Sequence, residues 1–246
     1  MIKVNWHRRY LQQAAWTRGL RDYLSDRTKR SGSGRILEVG CGTGAVLSTW
    51  PTSASLYGID IDLAALQESH RYAPAAFLTR GDVLALAYPD RSFHISYCHF
   101  FLLWVTDPLA ALMEMKRVTK SGGHVLAMAE PDYTARVDKP DELAALGKLQ
   151  NQSLKRQGAD IGIGSRLANL FFQAGIKIIE TGLIQSRQNR ALSWEDGQQE
   201  WEIIESDLTG LIPPREIPRW KKMDAEARRH RTRVLNVPTY FAWGQV

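Results

Sequence analysis

The chain has 246 residues, 44% of them hydrophobic and 24% charged, a formal net charge of +6 and two cysteines. That length suits one α/β domain with a substantial core and a cap. Two cysteines, Cys41 and Cys98, make neither a disulfide framework nor a metal-ligand spacing, so no metal is expected, and no apolar run approaches the ~20 residues of a membrane helix.

From the N-terminus, MIKVNWHRRY carries no apolar signal region, so a cytoplasmic protein without a membrane partner is expected. Residues 6–27 read as one amphipathic helix, with Tyr10, Ala14, Leu20 and Leu24 at roughly helical spacing. A loop of breakers runs to Gly34. Residues 35–39 read as a strand, 43–50 as a short helix closed by Pro51, 56–62 as a second strand and 63–71 as a helix. A fourth strand is expected over 93–98. Asp107-Pro108 then starts a helix, Asp as N-cap and Pro at the first helical position, running to Val118. Residues 123–129 read as the fifth strand, 140–157 as a helix, 158–164 as a glycine-rich loop, 165–174 as a helix and 176–184 as the sixth strand. The last strand is expected over 235–243. The long stretch before it holds two helical segments, 193–208 with the capping signal Ser193-x-x-Asp196, and 217–231.

This alternation predicts an α/β fold, a Rossmann-like seven-stranded mostly parallel sheet with helices on both faces and a helical cap. One domain is expected over 1–246, with 1–34 as an N-terminal helical cap and 185–234 as a helical lid inserted before the last strand.

The segment ILEVGCGTG, residues 36–44, runs a strand into three glycines at alternate positions. Without Cβ atoms at Gly40, Gly42 and Gly44 the backbone can turn sharply and approach a ligand. A following helix would aim its free N–H groups at that ligand. A dinucleotide fingerprint is G-x-G-x-x-G; here the last slot holds Ala45. Glu38 stands two residues before the first glycine, where a carboxylate opposes a pyrophosphate and suits an ammonium and a sulfonium.

The segment resembles motif I of the class I methyltransferases that use S-adenosylmethionine (SAM). LYGIDID (56–62), FLTRGDVL (77–84) and the stretch from Ser92 to Tyr133 extend the likeness over roughly residues 1 to 185. Arg117-Val118-Thr119-Lys120-Ser121-Gly122-Gly123 stands where the family has its RVLKPGG turn, with Ser121 in place of the usual proline, and His94 departs from the Asp common at the start of strand four. Overall the chain looks like the type 11 group, which includes quinone-biosynthesis enzymes.

The resemblance implies SAM as cofactor and S-adenosylhomocysteine as product. It implies a cofactor-binding set of Glu38, Gly40, Cys41 and Gly42 in the loop, with Cys41 as a small filler. Asp60, with Ile61, would meet the ribose hydroxyls, Asp82 the adenine amino group and the Val83 N–H a ring nitrogen. The His99 backbone would touch the methionyl part, and Arg21 would close over the carboxylate.

No catalytic residue is assigned. The cofactor carries its own leaving group, so positioning can supply much of the rate. His99 is either a base for a hydroxyl acceptor or part of the cofactor shell. Glu130, Asp132, Tyr133 and Arg166 are candidates for the acceptor pocket, each with a bland alternative as cap, packing residue or surface ion pair. Trp16 and Thr17 are candidates on the first helix. Trp194, Trp201 and Trp220 are pocket wall or lid packing.

Basic charge is concentrated at residues 1–30, eight Lys/Arg against two acids, and at 215–233, eight against three. Two solvated helix faces explain this as well as a nucleic-acid footprint does, and no aromatic–basic interleaving marks an RNA motif. The expected partner is therefore a small-molecule methyl acceptor with an O, N or C nucleophile. An RNA or protein methyltransferase stays open as an alternative, although Cys98-His99-Phe100-Phe101 lacks the Asn/Asp-Pro-Pro-aromatic signature. So do a non-catalytic SAM-binding protein and a nicotinamide dehydrogenase. The acceptor, the atom methylated and the oligomeric state are not encoded in any motif.

Overall fold

Strand runs and helix caps read from the sequence assemble into one central sheet in the computed structural model, which describes residues 4–28, 34–50, 54–184 and 194–246. Among the described residues the strands are β1 (Arg35–Val39), β2 (Ser55–Asp60), β3 (Phe77–Arg80), β4 (Phe93–Cys98), β5 (Thr119–Pro131), β6 (Val137–Lys139), β7 (Lys177–Leu183), β8 (Val234–Asn236) and β9 (Thr239–Gln245). The helices are α1 (Trp6–Trp16), α2 (Arg18–Arg27), α3 (Leu63–Tyr72), α4 (Pro108–Val118), α5 (Ala144–Arg156), α6 (Ile163–Gln173), α7 (Trp194–Leu208) and α8 (Ile217–Arg229).

Seven strands form the sheet, in the order β3-β2-β1-β4-β5-β9-β7. β1 pairs in parallel with β2 and β4, β2 with β3, and β4 with β5. β9 runs antiparallel to both of its neighbours, β5 and β7. The order reverses between β1 and β4, and the crevice at the carboxyl ends of strands around such a reversal is where open α/β sheets bind ligands.

Alternation along the strands sends side chains to two faces. Ile36 joins Ile95, Tyr97, Leu126 and Met128 in one apolar cluster, covered by Ala14 of α1 and Leu24 of α2. Leu37 and Val39 join the other cluster with Leu112 and Met115 of α4 and Leu167 and Phe171 of α6. Helices thus lie on both faces. Each fully buried side chain of this size contributes about 1.5–3 kcal/mol.

Local chemistry fixes the helix starts. The Asp107 carboxylate accepts the Ala110 N–H at 2.9 Å ahead of Pro108, and Asp62 accepts the Ala64 N–H at 2.8 Å to open α3.

Three expectations change. The single helix over 6–27 is two, because Thr17 leaves helical geometry (φ −100°, ψ 5°) while its hydroxyl bonds the Ala14 carbonyl and His99. Residues 43–50 form turns and a 3-10 segment, Leu47–Thr49, instead of an α-helix. Gly44 sits at φ +77°, which no right-handed helix accommodates, so the helix end expected to point at a ligand is absent here. β3 ends at Arg80, and Asp82 caps a separate short turn, Val83–Ala85. The last strand is interrupted at Val237-Pro238, since proline has no N–H for a ladder. Its first part, β8, pairs with β6 in a separate two-stranded sheet. Pro51 and the Ser193 cap fall outside the described residues.

The segment before β8 packs on α5. Leu143 and Leu146 meet Trp201, Ile204 and Leu208 of α7 and Ala227 of α8 in a third apolar cluster. Beneath it lies a buried ionic network. Asp224, 1% exposed, accepts from Trp201 Nε1 at 3.0 Å, Arg228 Nε at 2.7 Å and Arg233 Nε at 2.7 Å. Arg233 also pairs with Asp138, which pairs with Arg136.

Candidate active site

The carboxyl ends of β1, β2 and β3 open onto one cavity of about 2090 Å³. A drug-sized ligand needs roughly 300–1,000 Å³, so this one has room for two.

The loop after β1 needs its glycines for different reasons. Gly40 (φ +69°) has no space for a side chain, since a Cβ would lie 2.0 Å from the Phe101 ring. A Cβ on Gly42 would meet only Tyr10, at 3.5 Å, so there the positive φ of +49° is the constraint. Asp60, at the end of β2, anchors the loop: its Oδ2 accepts the Gly42 N–H at 2.7 Å and its Oδ1 the Asp62 N–H at 2.9 Å. Asp82 accepts the Leu84 N–H at 2.9 Å.

Glu38 is 3% exposed and accepts the Tyr97 hydroxyl at 2.8 Å. Burial pushes its carboxyl up to about 8, against the opposing pull of Tyr97 and of the Arg21 charge. The Cys41 thiol is pushed well above its usual range by burial, which fits a filler and not a nucleophile. His99 Nε2 lies 2.8 Å from the Thr17 hydroxyl. Burial, with help from the Arg21 charge, lowers His99 to about 3, so the ring is neutral at physiological pH. Phe100 beside it holds φ +51° and meets Trp16 edge to face at 6.5 Å.

The structure brings Glu38, Gly40, Cys41, Gly42, Asp60, Ile61, Asp82, Val83 and His99 onto this single cavity. Arg21 is not among its lining residues. It is buried at the α1–α2 junction, where Nη1 donates to the Ala14 carbonyl at 2.5 Å and the Thr17 hydroxyl at 2.6 Å.

The other candidates separate. Glu130 is fully buried and accepts the N–H groups of Phe101, Leu102 and Leu103, capping the turn after β4; burial raises it to about 7. Asp132 caps the turn Tyr133–Ala135. Arg166 pairs with Asp160 at the surface. Trp201 and Trp220 are packing residues of the α5–α7–α8 cluster; the Trp194 side chain lies outside the described residues. Tyr133 and Trp16 do line the cavity.

Sequence reasoning missed His7 and Tyr10. His7 Nδ1 reaches the Thr43 hydroxyl at 2.8 Å and its ring stacks on Tyr72, while Tyr10 lies over Gly42. The signal was present as a stripe: positions 7, 10, 14 and 17 share one helix face.

A nucleoside carrying an ammonium and a sulfonium fits this wall. Three acidic side chains, Glu38, Asp60 and Asp82, stand at successive strand ends around a loop held open by positive-φ glycines, and the loop itself holds no Lys or Arg to receive a pyrophosphate.

Residues 37–127 match the family model for a methyltransferase domain. That segment is a methyltransferase domain. A 37.1 kDa protein in transposon TN4556 of Streptomyces fradiae is 32% identical over 182 residues, 69% of this chain and 52% of the relative. The malonyl-[acyl-carrier protein] O-methyltransferase of Erwinia pyrifoliae is 31% identical over 120 residues, 48% of the chain and 46% of the relative. The chain thus spans about half the length of these curated relatives. Among solved structures, geranyl diphosphate C-methyltransferase from Streptomyces coelicolor A3(2), with Mg2+, geranyl diphosphate and S-adenosyl-L-homocysteine, has a TM-score of 0.56 at 13% identity. That likeness covers 91% of this chain and 78% of that one, and it shows the fold. The family match ends at residue 127, so α5 to α8 and β6 to β9 lie beyond it.

Proposed function

We propose that this methyltransferase moves a methyl group from SAM to a small-molecule nucleophile, O, N or C, by in-line displacement, within one domain capped by residues 1–34 and 185–234. The observation that carries the reading is the single cavity with a carboxylate- and glycine-lined wall on one side and α1, α5 and α7 on the other. When bound, SAM supplies a sulfonium-activated methyl and a neutral thioether leaving group.

The chain's own residues do the rest. Asp60 holds the glycine loop and presents its carboxylate to the ribose hydroxyls. Asp82 and the Val83 N–H read the adenine edge. Gly40 and Gly42 let backbone approach the amino-acid end, with Glu38 beneath it. Arg21 serves indirectly, by fixing the α1–α2 break through Ala14 and Thr17. His99, neutral, adds no positive charge beside a cationic ligand, and a group held near 3 is a weak general base at neutral pH. Rate then comes from orientation and exclusion of water.

Calorimetric titration of the full chain with SAM, and with NAD alongside, tests the proposal. Binding of SAM and not NAD is expected, together with methyl transfer from labelled SAM to a component of a metabolite extract. NAD binding without SAM binding would reject it.

A further inference from the structure

Many residues that line the cavity, those of α1 among them, lie outside the family match. His7, Tyr10 and Thr17 face the loop and His99. Arg9 and Trp16, seven residues apart, occupy another face, the guanidinium stacked 4.9 Å over the indole.

Groups from further elements line the same cavity as Arg9. Asp207 of α7 accepts Gln150 Nε2 of α5 at 3.2 Å. Gln150 Oε1 in turn accepts Arg136 Nη2 at 2.8 Å. The Arg136 side chain, 7% exposed, is held and neutralised by Asp138 at 2.7 Å. Tyr133 lines the same space, and its hydroxyl has no hydrogen-bond partner among the described residues. The Arg9 charge is felt at both Tyr133 and Asp207, yet Arg9 and Asp207 form no ion pair among the described residues. Burial raises the Asp207 carboxyl, and Gln150 and the two arginines oppose that shift.

We propose that Arg9, Tyr133, Arg136, Gln150 and Asp207 form the anchoring subsite of the methyl acceptor, and that this subsite takes an un-ionised hydroxyl on a bulky apolar molecule. A hydroxyl both donates and accepts: it donates a hydrogen bond to Asp207 and accepts one from Arg9 or Tyr133. A phosphate or carboxylate head would meet the Asp207 charge, and an ammonium head would meet Arg9. The apolar body follows from the size of the cavity and from the aromatic wall of Trp16, Phe100 and Phe101. This rests on the reading above, in which the glycine-loop end of the cavity holds the methyl donor.

The test titrates the full chain, with and without S-adenosylhomocysteine, with three fluorescent probes: 1-hydroxypyrene, pyrene-1-carboxylate and 1-pyrenemethylammonium, at neutral pH. The hydroxyl probe is expected to bind at least about tenfold more tightly than either charged one. Asp207→Asn and Tyr133→Phe are each expected to narrow that preference while leaving S-adenosylhomocysteine affinity unchanged. A charged probe binding best, no preference in the wild-type chain, or a preference that survives both substitutions would overturn the subsite. Loss of S-adenosylhomocysteine binding with the hydroxyl preference intact would instead reject the donor reading alone.

Discussion

Both oxygens of the Asp60 carboxylate are engaged by backbone N–H groups, from Gly42 and from Asp62. Removing the carboxylate therefore releases the loop as well as the proposed ribose contact. Asp60→Ala is expected to weaken SAM binding more than tenfold, beyond about 1.4 kcal/mol, measured by calorimetry. An unchanged affinity would place the ribose elsewhere. Glu38 gives a pH signature. Its folded-state value, about 8, lies above the unfolded one, so the stabilisation it contributes is complete below its ordinary range and is lost as pH rises through about 8. Denaturation of wild type and Glu38→Gln across that range should show the wild type losing ground steadily as pH rises, with parallel curves refuting the assignment. At Gly40 a valine would drive its Cβ into Phe101. Gly40→Val should therefore impair cofactor binding more than His99→Ala alters turnover, and the reverse order would make His99 a true base.

At the scale of elements, the break between α1 and α2 hangs on one hydroxyl. Thr17 Oγ1 meets the Ala14 carbonyl, His99 Nε2 and the Arg21 guanidinium. Thr17→Ala leaves a buried cation short of a partner and is expected to cost about 1–3 kcal/mol, read from chemical denaturation, with Thr17→Ser recovering most of it. Recovery failing with serine would mean that the methyl group and not the hydroxyl matters. This break was not legible beforehand, because its cause, His99, lies 82 positions away in the chain. Asp107-Pro108 was legible, because cap and helix are neighbours in sequence. The expected helix over 43–50 failed for the opposite reason: the glycines that advertised the loop also took the left-handed conformations that exclude a helix. The proposed donor side of the cavity was readable as a motif because its parts are strand ends in fixed order. The proposed acceptor side was not, because Arg9, Tyr133, Arg136, Gln150 and Asp207 come from separate elements and obey no spacing.

At the scale of the molecule, α7 and α8 are tied to α5 and β6 by charge as much as by apolar contact. Asp224 gathers Trp201, Arg228 and Arg233, and Arg233 and Arg136 meet on Asp138. Without Asp224, Arg228 keeps Glu200 and Arg233 keeps Asp138, but the buried Trp201 N–H loses its acceptor, at a cost of about 1–3 kcal/mol. Asp224→Ala should lower the melting temperature and speed amide hydrogen exchange in α7 and α8 while β1, β4 and β5 stay protected. Equal loss of protection throughout would show that cap and sheet unfold as one unit.

β9 sits between β5 and β7 and runs against both. During synthesis, then, β7 leaves the ribosome long before its only neighbour in the sheet exists. Until β9 slides into the gap, the ribbon bearing Ile178 and Ile179 has two open edges and nothing to pair with, and the aromatic pair Phe241 and Trp243 is not yet there to close the core. The nascent protein's exposure to wrong partners is therefore set by the arrival of one late strand, and conditions that slow its insertion will be felt as aggregation, not as lost activity.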